Sequence, residues 1–270
     1  MHLEGTSHKE LDMKGKALAK ICLVLALVLG LSACATVPYT GRTQFVLMNP
    51  QQELSLGQQA AQQVRQESRV STDPRYTNQV QRVGQRIAMA ANQHDYPWSF
   101  TTIEDESLNA FALPGGKVFV NTGMVDFASS DAQLATVIAH EVAHVIARHG
   151  AERMSRVLVA QVGGAALAGA FNIQTPAGRQ AFETAYGLAT NVGVILPHSR
   201  SQELEADRIG LILMAKAGYN PSEAIDFWSR MMRAKDGPAP PPFLSTHPAD
   251  EERLRAIRSL IPEAMRHYSP

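Results

Sequence analysis

The sequence is short of cysteine. Its 270 residues hold two, Cys22 and Cys34, and none follows in the body of the chain. That excludes a disulfide framework and a cysteine-based zinc finger there, so any metal must be held by histidine and carboxylate groups. An excess of charge is missing as well: Lys plus Arg and Asp plus Glu both total 25, for a formal net charge of +0. The chain therefore carries neither the footprint of a nucleic-acid binder nor that of a polybasic membrane-surface protein. Long hydrophobic runs are absent too. The stretches Ile21 to Leu31 and Val157 to Phe171 both fall short of the about 20 apolar residues that a membrane-spanning helix needs. The remaining composition, 45% hydrophobic and 19% charged, is that of one sizeable globular domain with appendages.

Both cysteines belong to the N-terminal stretch. Lys14, Lys16 and Lys20 precede the apolar run, and Leu31-Ser32-Ala33-Cys34 follows it. Basic, apolar and then small residues are the layout of a secretory signal peptide, here spanning 1–33. Glu4, Glu10 and Asp12 are foreign to such a signal, which makes Met13 an alternative translation start. The ending resembles a bacterial lipoprotein signal, which implies removal of 1–33, lipidation of Cys34 and attachment to a membrane through that anchor. An ordinary signal peptide or a short buried helix is the plainer alternative. Ala35, in place of Asp, implies by the same resemblance an outer-membrane lipoprotein facing the periplasm, if the source is Gram-negative. Residues 34–50, with Pro38, Gly41 and Pro50, read as a tether with little regular structure. Residues 51–270 then form the folded domain.

The centre of that domain is Thr136 to His149, which contains His140-Glu141-Val142-Ala143-His144 inside an apolar run. On an α-helix, residues four apart lie one turn above each other, so His140 and His144 can both offer nitrogens to one metal ion, with Glu141 beside them to handle the proton of a water. Two ordinary helical histidines are the plain alternative. Asp131 is the expected N-cap, and the helix is expected to run through Arg148. His149, about 140° around an ideal helix from His144, reads as structural or as a charge at the helix C-terminus. Upstream, the pattern predicts packing helices over residues 51–67 and from Asp73-Pro74 to Asn92, then a strand at Trp98 to Ile103. Asn109 to Leu113, the turn Pro114-Gly115-Gly116, and Lys117 to Thr122 read as a hairpin. Its edge, at Asn109, Ala110, Phe111 and Ala112, is a candidate to pair with an extended peptide; the same residues suit a plain core hairpin equally well.

A second stretch supplies the missing ligand. In His198 to Gly210, Glu203 and Asp207 are again four apart on one helix face. A catalytic zinc site needs three protein ligands and an open position, and two histidines with a glutamate are an established set. Glu203 fits as the third ligand. Asp207 is placed to accept a hydrogen bond from the far nitrogen of a zinc-bound histidine, fixing its tautomer. Glu205 reads as an exposed, salt-bridged residue. Gly218 is expected to end this helix. Further helices are expected from Ser222 to Arg233 and from Ala249 to about Leu260.

Together, His140-Glu141-x-x-His144, the hairpin from Asn109 to Val120, and Ser199-Arg200-x-x-Glu203-x-x-Ala206-Asp207 resemble the M48 family of zinc metallopeptidases, and most closely its small lipoprotein branch. The resemblance covers roughly Pro50 to the C-terminus. It implies an α+β, mainly helical zincin domain of the gluzincin type, with a small sheet whose edge strand borders the cleft. It also implies one zinc per chain, held by His140, His144 and Glu203, with Glu141 as catalytic acid and base. The implied activity is a metalloendopeptidase that cleaves unfolded or misassembled cell-envelope proteins in quality control. The family often shows Ser-Thr-His-Pro where this chain has Ser245-Thr246-His247-Pro248. His247 is thus a candidate to stabilise the oxyanion, touch substrate or fill the open zinc position at rest, against a plain helix-capping turn. Arg200 is a second oxyanion candidate. The competing reading is a chaperone-like or assembly lipoprotein whose zinc is structural or latent.

Overall fold

The computed structural model describes residues 34–162, 175–176, 179–180, 185, 198–235, 237 and 240–269. The signal peptide, the Gly163-Gly164 pair within Val157 to Phe171, and most of residues 175–189, where Thr175-Pro176 reads as a helix start, lie outside them.

The expected tether is instead built structure. Strands β1 (Cys34–Thr36) and β2 (Thr43–Phe45) pair as an antiparallel hairpin, with Cys34 opposite Phe45. Val37, Val46 and Met48 are buried, so this segment contributes apolar side chains to the core. Helix α1 (Pro50–Glu67) starts where sequence chemistry says it should: Asn49 and Gln52 form a reciprocal capping box and Pro50 sits in the first turn. Helix α2 (Pro74–Ala91) is capped by Asp73, whose side chain accepts from the Arg75 amide, and it buries Val80, Val83 and Ile87.

The sheet holds β3 (Ser99–Ile103), β4 (Ala110–Leu113) and β5 (Lys117–Asn121) in the order β3-β5-β4. β3 runs parallel to β5, and β4 returns antiparallel to it with Ala112 opposite Val118. The turn between them needs positive φ, and Gly115 (69°) and Gly116 (77°) provide it. This order leaves β4 at the edge. A short helix α3 (Thr122–Phe127) leads on to the central helix.

That helix, α4 (Asp131–Ile146), is buried on all sides from Gln133 to Ile146, as expected for the middle of a core and not its surface. Its cap is Ser130, which accepts from the Gln133 amide. Asp131, the expected cap, sits one residue inside and pairs with Arg82 at 2.9 Å. The helix also stops earlier than expected. Ala147 caps it, and Arg148 turns left-handed (φ 55°) before helix α5 (His149–Val162) begins in a new direction. A non-glycine residue in that region costs about 1–2 kcal/mol. Here the Arg148 side chain is tied down in compensation, donating from Nε to Glu53 (2.7 Å) and from Nη2 to the Met48 carbonyl (2.6 Å).

Helix α6 (Arg200–Lys216) lies across α4. Ser199 and Gln202 form its capping box, and Gly218 (φ 76°) closes it: the Gly218 and Tyr219 amides donate back to Ala215 and Met214. Gly210 sets the approach. A Cβ there would lie 3.2 Å from the Ala139 carbonyl carbon and the His140 nitrogen, so any side chain would ask that backbone to give by a few tenths of an ångström. Helices α7 (Glu223–Lys235), α8 (Phe243–Thr246) and α9 (Glu251–Met265, capped by Asp250) cover the far side. α9 continues beyond Leu260 with Pro262 inside it. No helix among the described residues is long and apolar enough to cross a membrane.

Candidate active site

The close crossing of α4 and α6 brings three groups to one point. His140 Nε2 and His144 Nε2 are 3.1 Å apart; Glu203 places Oε2 3.4 Å from His140 Nε2 and Oε1 3.3 Å from His144 Nε2. His247 adds a fourth corner, its Nδ1 3.2 Å from His140 Nε2 and 3.0 Å from Glu203 Oε1. Ligands bound tetrahedrally at ~2.0–2.1 Å lie about 3.3 Å from one another, so these spacings are those of a small tetrahedral ion's ligand set. All four residues are at most 5% exposed. These residues could therefore hold a metal ion.

The electrostatics fit the same conclusion. Burial pushes the His140 imidazole down, but the nearby carboxylates of Glu203 and Asp207 outweigh it and raise its pKa to about 9. A pocket that favours a proton on that ring also favours a cation. Burial alone would raise Glu203, yet Arg253 and the neighbouring histidines hold it well below the usual carboxylate range, so it stays anionic. Glu141, buried beside them, is pushed up chiefly by burial, the direction that suits a group which must take up a proton.

Around these groups lies a ring of holding residues. Asp207 lies one turn beyond Glu203, with Oδ1 3.0 Å from His140 Nδ1. Both its oxygens also accept from Arg253, each at 2.8 Å. Arg253 is 4% exposed, pairs with Glu203 Oε2 at 2.6 Å, and lies with its guanidinium 3.7 Å from the centre of the Trp228 ring. Sequence reasoning missed it. The available signal was a charged residue beside Leu254 and Ile257, on the face of α9 that must be apolar. His149 and Glu205 belong to the ring too, contrary to the reading of Glu205 as exposed: Glu205 is 8% exposed and accepts from His149 Nε2 at 2.9 Å. His198 was also missed. Its ring lies 4.0 Å from that of His144 and stacks at 5.1 Å on that of His247.

Arg200 does not enter this site. Its side chain is 55% exposed on the surface, paired with Asp250 at 2.8 Å and with Glu252, so the oxyanion role is withdrawn. His247 does enter: it is 2% exposed, with Nε2 3.3 Å from Glu141 Oε1. The short helix α8 carries it there, anchored where the His198 amide donates to the Thr246 carbonyl and the Phe243 amide to the Leu108 carbonyl. The expected edge residues lie alongside. The Ala112 backbone lies close enough to Glu141 to favour its charged form, and β4 packs against α4, with one edge unpaired among the described residues. Asn109, Phe111 and Ala112 are half-buried, Phe111 stacks on Phe119 at 5.1 Å, and Ala110 is fully buried.

Comparison with known proteins agrees with this arrangement. The family model "Peptidase family M48" matches residues 74–261, which include both motif helices, the sheet and Arg253. The mitochondrial metalloendopeptidase OMA1 of Schizosaccharomyces pombe is 36% identical over 233 residues, 84% of this chain and 66% of that protein. The beta-barrel assembly-enhancing protease of Escherichia coli is 30% identical over 251 residues, covering 88% and 50%. The OMA1 of Arabidopsis thaliana is 35% identical over 185 residues, covering 67% and 36%. The chain thus spans less than two thirds of each of these relatives. With a family match across most of its length and a buried His-Glu-x-x-His site completed from a second helix, this chain belongs to peptidase family M48.

Proposed function

We propose that the chain is a zinc-dependent endopeptidase of the bacterial cell envelope, held at a membrane by a lipidated Cys34 and acting on unfolded or misassembled envelope proteins. The observation that carries the reading is the convergence of His140, His144 and Glu203 within 4.8 Å, beside Glu141 and a strand edge that is unpaired among the described residues. His140, His144 and Glu203 would hold one zinc. When bound, zinc supplies Lewis-acid polarisation of the scissile carbonyl and makes a water acidic enough to attack near neutral pH.

The chain's own residues do the rest. Glu141 takes the proton of the attacking water and passes it to the leaving amine, and its burial keeps its basicity high enough to do so. β4 offers its free edge to an extended peptide, gripping main chain and asking little of side chains; that suits misfolded clients of varied sequence. The relative named as a beta-barrel assembly-enhancing protease supports an envelope role, and the OMA1 metalloendopeptidases support the peptidase activity. His247 fills the fourth corner in this conformation and must leave for a substrate carbonyl to enter. That occupancy also favours the second reading, a closed four-ligand site in a chaperone-like lipoprotein.

The two readings separate in one experiment on the purified mature chain, comparing wild type with Glu141→Gln for bound zinc and for casein cleavage. The enzyme reading expects one zinc in both proteins and cleavage by wild type alone. Equal cleavage by both would remove Glu141 from the mechanism, and cleavage by neither would favour the closed site.

A further inference from the structure

The break at Ala147 and Arg148 turns His149 back onto the site. Had α4 continued straight, His149 would lie about 140° away from His144; instead its Nδ1 is 2.8 Å from His144 Nδ1. His149 is fully buried, and its Nε2 lies 2.9 Å from Glu205 Oε2. One assignment of protons satisfies the whole line. His149 Nε2–H donates to Glu205, which leaves Nδ1 as an acceptor. His144 Nδ1–H donates to that nitrogen, and His144 Nε2 is left with a free lone pair facing Glu203 and His140.

The line continues to the N-terminal hairpin. Arg42 Nε donates to Glu205 Oε2 (2.8 Å), the oxygen that His149 uses, and Thr40 Oγ1 donates to Oε1 (2.5 Å). Arg42 also donates from Nη1 and Nη2 to Glu152 (3.2 and 3.1 Å), which Gln202 of α6 holds from its other side at 2.8 Å. Gln44, in β2, donates to the Ala147 carbonyl at the helix break (2.8 Å). All three hairpin residues lie outside the stretch matched by the family model.

We propose that Arg42, Thr40, Glu205 and His149 form a positioning relay for His144, by which the hairpin beginning at Cys34 sets the orientation and tautomer of a metal ligand. The proposal rests on reading His144 as a ligand. These are positioning residues, since none of the four faces the point where His140, His144 and Glu203 meet. A metal-ligating histidine fixed through its other nitrogen is a general device, and loss of such a partner costs about 10- to 100-fold in metal affinity or activity. Here the partner is itself a histidine, and its support comes from a segment far away in sequence.

The test is a double-mutant cycle on the full mature chain, read as zinc affinity by chelator competition and as the visible spectrum of the cobalt-loaded protein. Arg42→Ala and His149→Gln are each expected to weaken zinc by about 10-fold or more and to shift the cobalt bands. The double variant is expected to be no weaker than His149→Gln alone, because Arg42 acts through His149. Arg42→Lys is expected to recover part of the loss, and the melting temperature of each metal-free protein monitors folding. Additive losses, or an Arg42→Ala affinity within threefold of wild type, would overturn the relay. If His149→Gln does not fold, the Arg42→Ala and Arg42→Lys pair decides alone. Wild type that binds no zinc would instead refute the ligand reading of His144, so the two failures are distinguishable.

Discussion

Arg253 makes the sharpest prediction about how the site is held. The side chain is buried between two carboxylates, with Glu203 Oε2 at 2.6 Å and both Asp207 oxygens at 2.8 Å. In Arg253→Met, packing against Trp228 is kept but two buried carboxylates lose their counter-charge. Removing one partner of a buried ion pair costs about 3–5 kcal/mol, and in a domain of this size each kcal/mol moves Tm by about 2–4 °C. The metal-free variant should therefore melt about 6–20 °C below wild type at pH 7. The pH dependence has a definite sign. Burial would raise Asp207, but Arg253 and His140 hold it below its ordinary 3.8. A carboxylate with a lowered folded-state pKa contributes stability that is present above the unfolded value and is lost as pH falls through the folded one. The gap between variant and wild type should then be full at pH 7 and shrink below about pH 4 as the carboxyls protonate. Zinc should shrink it as well, since a bound cation replaces part of the missing charge. Thermal melts with chelator and with zinc, at neutral and acid pH, read all three effects. A metal-free Tm within 2 °C of wild type would refute the claim that Arg253 balances the buried charge.

Three other perturbations probe the frame around the site. Gly210→Val should push α6 away from α4 at Ala139 and His140, costing about 1–3 kcal/mol of stability and separating Glu203 from the histidines; an unchanged Tm and zinc affinity would show that the close approach is not needed. Burial works against Glu152, but hydrogen bonds from Arg42 and Gln202 hold it below its ordinary 4.5. Glu152→Gln should thus lose about 1.5–3 kcal/mol at pH 7, with the gap closing as pH falls below that value; a gap that does not change with pH would point to packing and not charge. Cys34→Ser should abolish lipid modification by intact mass and release the protein from the membrane fraction, and retention in that fraction would refute the anchor.

Much of the site was legible because its spacing is local. His140 with His144, and Glu203 with Asp207, are i, i+4 pairs whose shared faces follow from helix geometry alone. The helix start at Asp73-Pro74 and the glycines at 115, 116 and 218 are likewise local backbone chemistry. Where reasoning failed, the cause was a distant partner. Glu205 reads as an exposed helix residue until Arg42 and His149 arrive from elsewhere in the chain. Arg200 and Arg253 are both arginines near helix starts, and only packing decides which is buried. Residues 34–50, with two prolines and a glycine, gave no sign that Arg42 would find two buried carboxylates.

By itself, then, the sequence determined the two motif-bearing helices, the hairpin strand beside them, Glu203 as the candidate third ligand, and the family. Each depends on periodicity or on a turn that a few neighbouring residues dictate. Only the tertiary structure decided which charges surround the ligands. Neutralising a buried carboxylate depends on which surfaces are pressed together, and here Arg253, His149 and the hairpin's Arg42 reach the site across contacts that no local pattern encodes.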